Sequence, residues 1–264
     1  MGKNSCNVSI SILSAMEIEV VTVPVFIHFS KWTDSVKENS EDYFSCQTDL
    51  SAKIKGYTDY FIENKIHFDC IFINGKFSKI QIEKIRDLVT NCLSNDCLLL
   101  LKVDTDFLSL KPICEKSNVI ISNLEKIYNL TDSNSSEDIS NKDYLENILI
   151  EKKDIFSGSL IVTDFIINSE KKAIALFEKN KCDIKWFYVN NYNSEFYGLD
   201  DIFSAIVAGA ITKKINIEKA IRIGINFIDK AVKSTLSKPD YNWYGADFES
   251  ILSELILQLS DNLP

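Results

Sequence analysis

The sequence predicts an α/β protein with a mostly parallel central sheet and helices on both of its faces. Through the first 150 residues, short apolar runs of strand length, such as 69–73 and 97–103, alternate with stretches whose apolar residues recur at helical spacing. Three β-like runs then follow one another across turn-rich Asn/Lys stretches, which suits a meander, and the chain closes in helices.

Taken in order, Val8, Ile10, Ile12, Leu13 and Ala15 mark a first helix, and residues 18–27, with Glu-Val-Val-Thr-Val-Pro-Val inside, read as a buried strand. Residues 49–64 read as a helix with Thr48 as its N-cap. A strand at 69–73, a helix at 79–92, a strongly apolar strand at 97–103 and a short strand at 119–122 follow. Residues 131–143, rich in Ser, Asn and Asp, form a loop or the start of a helix running to Ile150. The meander occupies 160–166, 173–178 and 184–189, and the closing helices 202–213, 217–236 and 248–259. In the second of these, Ile217, Ala220, Ile221, Gly224, Ile225, Ile228, Ala231 and Val232 make one apolar stripe.

Composition narrows the function classes. With 45 % hydrophobic residues the 264-residue chain can bury a sizeable core as one domain spanning 1–264. A net charge of −9 argues against nucleic acid and anionic membranes as partners. No apolar run approaches the roughly 20 residues of a membrane span. Seven scattered cysteines, never spaced C-x-x-C, suggest reduced thiols in a cytoplasmic protein. Two histidines leave little material for a zinc site or a His-based triad. Eight glycines are about 3 % of the chain, against about 7 % on average, so few places allow a backbone to close on phosphate.

One segment combines a turn, a carboxylate pair and a long apolar helix: Phe196-Tyr197-Gly198-Leu199-Asp200-Asp201-Ile202-Phe203-Ser204-Ala205. A helix starting there aims backbone N–H groups and an acid at one small volume, which can hold an anion beside a base. The bland alternative for Asp201 is a first-turn helix acid worth a few tenths to about 1 kcal/mol.

Gly198 to Ala205 resembles the G-T-G-D-I-F-A-S segment of the pyridoxal kinase branch of the ribokinase superfamily, and other stretches resemble that family in order along nearly the whole chain. Ile12-Leu13-Ser14-Ala15-Met16-Glu17-Ile18-Glu19 is similar to I-I-S-A-M-G-I-E, Thr48-Asp49-Leu50 to T-D-L, and Phe68-Asp69-Cys70-Ile71 to F-D-A-I. Cys114-Glu115-Lys116-Ser117-Asn118-Val119-Ile120 resembles C-E-K-A-D-I-I, and Tyr244-Gly245-Ala246-Asp247-Phe248-Glu249 resembles Y-G-V-N-F-E. The resemblance implies a ribokinase-like three-layer sandwich, a homodimer, and ATP- and Mg2+-dependent phosphorylation of the 5′-hydroxymethyl of a B6 vitamer. It also implies roles: Asp201 as the base, Gly198, Leu199 and Asp200 as the phosphate cradle, Asn123 and Thr163 on the nucleotide and magnesium side, and Gly2 and Lys31 on the substrate side.

Several of these positions depart from the family. Leu199 and Asp200 replace the second and third residues of G-T-G, bringing a Cβ and a carboxylate to the cradle. The D-P-V-M-x-D stretch falls on Lys102-Val103-Asp104-Thr105-Asp106, and Lys126 takes the place of the Glu in N-x-x-E, with Glu125 one position early. The S-T-H-T loop reads Phe29-Ser30-Lys31-Trp32, and the G-Y-L-G turn Asn74-Gly75-Lys76-Phe77. Asp164 stands where glycine is usual. The family's first strand has no counterpart before Met1, and in this sheet that strand is expected to be central. The expectation is therefore a pyridoxal kinase-like protein whose activity is reduced or lost. Its alternatives are a non-catalytic pseudokinase acting as a binding or partner subunit, and a hydroxymethylpyrimidine-type kinase.

Overall fold

The computed structural model describes residues 5–28, 47–105, 107–130, 141–181, 183–192, 196, 198–241 and 245–260. Its elements, in chain order, are α1 (Ser5–Ala15), β1 (Phe26–His28), β2 (Gln47–Asp49), α2 (Ile54–Glu63), β3 (Cys70–Gly75), α3 (Lys79–Cys92), β4 (Leu98–Val103), α4 (Phe107–Cys114), β5 (Val119–Asn123), α5 (Leu124–Tyr128), α6 (Lys142–Glu151), β6 (Ser159–Ile166), β7 (Lys171–Glu178), β8 (Asp183–Asn190), α7 (Leu199–Thr212), α8 (Ile217–Leu236) and α9 (Leu252–Ser260). They fall into two compact units.

The larger unit comprises residues 1–20, 69–76 and 98–264 and holds a six-stranded sheet ordered β3-β4-β5-β6-β7-β8. β3 to β6 pair in parallel and β6 to β8 antiparallel, so the predicted meander is present. Strands buried on both faces read as continuous apolar runs, and the Leu-Leu-Leu-Leu of β4 is such a run. α7 is buried at every residue from Asp201 to Ala210, which explains its apolar character all round. α8, in contrast, buries one stripe through Ala220, Ile221, Gly224, Phe227, Ala231 and Val232, and Asn216 caps it by accepting from the Lys219 N–H at 2.9 Å.

The smaller unit comprises residues 21–68 and 77–97. β1 and β2 pair antiparallel there, and α2 and α3 share its core with Ile54, Phe61, Phe77, Ile82, Ile85 and Val89. Edge-to-face ring pairs, Phe26 with Phe77 and Phe61 with Phe68, add to that core. α3 begins with a complete capping box: Ser78 Oγ accepts from the Gln81 N–H and Gln81 Oε1 from the Ser78 N–H.

Two local expectations are corrected. Residues 18–24 carry no ladder pairing, and only Phe26–His28 of the expected 18–27 strand is a strand. Val21 is half exposed, and this stretch carries the chain from the larger unit into the smaller one, where apolar residues do not imply a buried strand. Thr48 is not an N-cap. It lies inside β2, and Asp49 instead accepts the Ser51 N–H at 2.8 Å, leading into a 3-10 turn before α2. That N–H holds the Asp49 carboxyl below its usual pKa. Between the expected strands 97–103 and 119–122 the structure adds α4, where burial of Phe107, Leu110, Ile113 and Cys114 holds the helix around Pro112. The loop expected over 131–143 lies mostly outside the described residues.

Candidate functional site

The carboxyl ends of β4, β5 and β6 and the start of α7 meet in the larger unit, the place where open parallel sheets generally receive ligands. Lys102, Val103, Asp104, Ile121, Ser122, Asn123, Thr163, Asp200 and Ser204 line a small polar pocket of about 10 Å³, room for roughly one water molecule. The walls come from the strand ends and, through Asp200 and Ser204, from the first turns of α7. Asn123 is directly opposite Thr163 in the β5–β6 register, and Lys102 opposite Ile121 in β4–β5.

α7 starts at Gly198, whose φ of 82° is a left-handed conformation that glycine adopts without Cβ strain. Its first turn carries Asp200 and Asp201 at the positive end of the helix dipole. Asp201 points inward and is buried, whereas Asp200 is exposed. Leu199 is the first helical residue and offers no hydroxyl.

The centre of the site is an ion pair. Lys102 Nζ donates to Asp201 Oδ1 at 2.8 Å and to Asp104 Oδ2 at 3.1 Å, and the Lys102 and Asp201 side chains keep only 11 % and 8 % of their surface. Asn74 Nδ2 donates to the same Asp201 oxygen at 3.1 Å. Asp201 is thus held from two sides by residues that have come from β3 and β4. Burial alone works to lower the Lys102 pKa, but Asp104, Asp201 and Asp200 outweigh it and raise the pKa, so the ammonium stays charged at all ordinary pH.

Asp200 behaves differently. The dense protein around it, and then the charge of Asp164, push its carboxyl up to about 6 against the opposing pull of Lys102. Because Asp200 keeps an exposed surface, water moderates the burial part of that shift, and the like charges of Asp164, Asp104 and Asp201 carry the direction. Asp164 itself has a φ of 63° within an irregular stretch of β6, so an aspartate holds a left-handed conformation that suits glycine. Its carboxylate pairs with Lys172 Nζ at 3.0 Å.

The other sequence-derived residues are placed as follows. Asn123 Oδ1 accepts the Lys126 N–H at 3.0 Å and caps α5, while Lys126 Nζ stands 3.8 Å from Glu125. Thr163 is buried, with its hydroxyl 3.4 Å from Asp164 Oδ2. Gly2 and Lys31 lie outside the described residues. The sequence reading missed the Lys102–Asp201 pair and the Asn74 amide. A lone lysine in an apolar strand was the available signal, since a buried ammonium requires a carboxylate partner.

The divalent cation implied by the family likeness does not fit this donor set. Asp104 Oδ2 and Asp201 Oδ1 already accept from the Lys102 ammonium, and among the described residues no group of three His, Cys, Asp or Glu side chains is arranged to hold a metal ion.

No family model and no curated protein sequence matches the chain. Solved structures do. The chain is similar to a "putative phosphomethylpyrimidine kinase" of Bacteroides thetaiotaomicron (TM-score 0.83, 19 % identity, covering 97 % of this chain and 90 % of that one), which has also been crystallised with pyridoxal. It is similar to the pyridoxal kinase of Lactobacillus plantarum (TM-score 0.80, 15 % identity, 100 % and 95 % covered) and to that of Entamoeba histolytica (0.77, 12 %, 98 % and 92 %). Among the described residues no helix is long and apolar enough to cross a membrane. With its mixed six-stranded sheet flanked by helices, this chain has the ribokinase-like α/β fold of the pyridoxal kinases.

Proposed function

We propose that this protein is a pyridoxal kinase-like protein that keeps small-molecule recognition of a B6 vitamer and ATP, while its phosphoryl transfer is reduced or lost. One observation carries the reading: the Lys102 ammonium lies 2.8 Å from the carboxylate of Asp201, the residue in the position of the base. Phosphoryl transfer needs that carboxylate to accept the proton of the attacking hydroxyl, and donors to offset charge on the moving phosphoryl group. In the folded protein Asp201 Oδ1 already accepts from an ammonium and an amide, so a substrate hydroxyl would compete with both donors for that oxygen.

The surroundings support the same direction. Lys102 pairs with Asp104 and Asp201 and Lys172 with Asp164, while Asp200, which lines the pocket, pairs with neither lysine. An incoming phosphate about 4 Å from an unpaired carboxylate meets roughly 4 kcal/mol of repulsion at an effective dielectric near 20. A pseudokinase serving as a binding or partner subunit, and assembly as a homodimer, belong to this reading. A second reading, a hydroxymethylpyrimidine-type alcohol as the ligand, is favoured by the likeness to the Bacteroides protein.

The test is a coupled assay with ATP, Mg2+ and pyridoxal, beside Asp201→Ala and with 4-amino-5-hydroxymethyl-2-methylpyrimidine as a second acceptor. Turnover at or near background in both proteins, with thermal stabilisation by millimolar ATP or pyridoxal, is the expected result. Robust turnover abolished by Asp201→Ala contradicts the loss of activity, and no stabilisation by either ligand contradicts the binding role.

A further inference from the structure

Asp200 is the pocket acid that neither Lys102 nor Lys172 neutralises. We propose that Asp200 selects ligands by charge: ionised, it keeps phosphate-bearing ligands from the start of α7 while admitting a vitamin alcohol without phosphate, and protonated, it lets a phosphate in, so that nucleotide binding here is gated by acid. This rests on the reading of the site as one that recognises a B6 vitamer and ATP, and adds to it what decides between the two.

α7 opens at Gly198, whose left-handed φ of 82° turns the chain into the helix, and a helix start presents backbone N–H groups that suit an anion. Asp200 stands in that first turn, lines the pocket together with Ser204, and keeps an exposed surface. An anion held by those N–H groups has the Asp200 carboxylate as its neighbour. The cations around it are committed elsewhere: Lys102 from β4 is shared by Asp104 and Asp201, and Lys172 from β7 is taken by Asp164. Lys126 from α5 stands 3.8 Å from Glu125, and β3 and β5 face the site with the uncharged Asn74, Ser122 and Asn123. Desolvation and the carboxylates of Asp164, Asp104 and Asp201 favour a proton on Asp200 against the pull of Lys102, and push its carboxyl up to about 6. A phosphate beside it acts in the same direction, so binding takes up a proton and affinity rises as pH falls through about 6. A ligand without phosphate meets no such repulsion.

Equilibrium binding of ATP and of pyridoxal, each alone and without metal, to wild type and Asp200→Asn at about pH 5.5 and about pH 7.5 tests the gate. The ligands titrate identically in both experiments, so the difference between the two proteins isolates Asp200. At the higher pH Asp200→Asn should bind ATP at least about tenfold more tightly than wild type, and at the lower pH that advantage should largely disappear. Pyridoxal should bind the two proteins within about twofold of each other at either pH. An equal pH dependence of ATP binding in the two proteins overturns the proposal, and so does a pyridoxal affinity that rises in Asp200→Asn as much as that for ATP. Where wild type binds no ATP at either pH, binding by Asp200→Asn supports the gate and its failure to bind overturns it. Absence of pyridoxal binding to both proteins contradicts the vitamin reading instead, because the ATP comparison still decides the gate. Asp200→Ser takes the place of Asp200→Asn should that variant not fold.

Discussion

Lys102 and Asp201 lie 99 positions apart, yet the Lys102 ammonium donates to the Asp201 carboxylate at 2.8 Å. Sequence alone offers a lysine in an apolar strand and an aspartate that a family resemblance marks as an expected base. It could not show that the two touch, because the contact depends on how far a strand end and a helix start approach. Asp164, which the resemblance sets where glycine is usual, has a φ of 63°, a left-handed conformation that suits glycine. Aspartate tolerates that region better than most side chains. The neighbouring Asp200 gives a pH prediction. Its folded pKa is raised to about 6, so its contribution to stability is fully present below the unfolded value and is lost as pH rises through about 6. Asp200→Asn should therefore raise the unfolding midpoint more at pH 7.5 than at pH 4.5. Equal gains at both values would show that the charge of Asp200 is not repelled in the folded protein.

At the scale of elements, periodicity located what packing rewards. α3 and α8 match their expected ranges to the residue, because a capping box and an asparagine cap mark where their apolar stripes begin. Residues 18–27 show the opposite case, since an apolar run cannot say whether a strand partner exists. Glycines make the packing testable. A Cβ at Gly158 would come within 1.9 Å of the Asn118 carbonyl oxygen, which also accepts the Ser159 N–H where β6 begins beside β5. Gly56, in α2, has nothing within 4 Å of the same added atom. Gly158→Ala should cost at least about 2 kcal/mol in urea unfolding, through displaced backbone. Gly56→Ala should gain up to about 1 kcal/mol from helix propensity. Similar effects at the two sites would contradict the packing described at the β5–β6 junction.

For the whole molecule, the likeness to known structures lies in the fold. The chain matches kinase structures over 97–100 % of its length at 12–19 % identity, a combination expected when buried patterns are kept and exposed strand ends change. The fold could be read from the order of elements and a series of short motifs because apolar periodicity is distributed along the chain. Site chemistry resides in a few side chains whose meaning changes with one substitution, and Lys102 is the example. The central claim is that the Asp201 carboxylate is bound to that lysine, and a double-mutant cycle tests it most directly. Urea unfolding of Lys102→Met, Asp201→Asn and the double variant should give a coupling of about 2–4 kcal/mol, with the double variant more stable than either single one, as for a buried pair whose lone members are left uncompensated. A coupling within about 0.5 kcal/mol of zero would mean that the two charges do not hold each other, and the account of this site would fail.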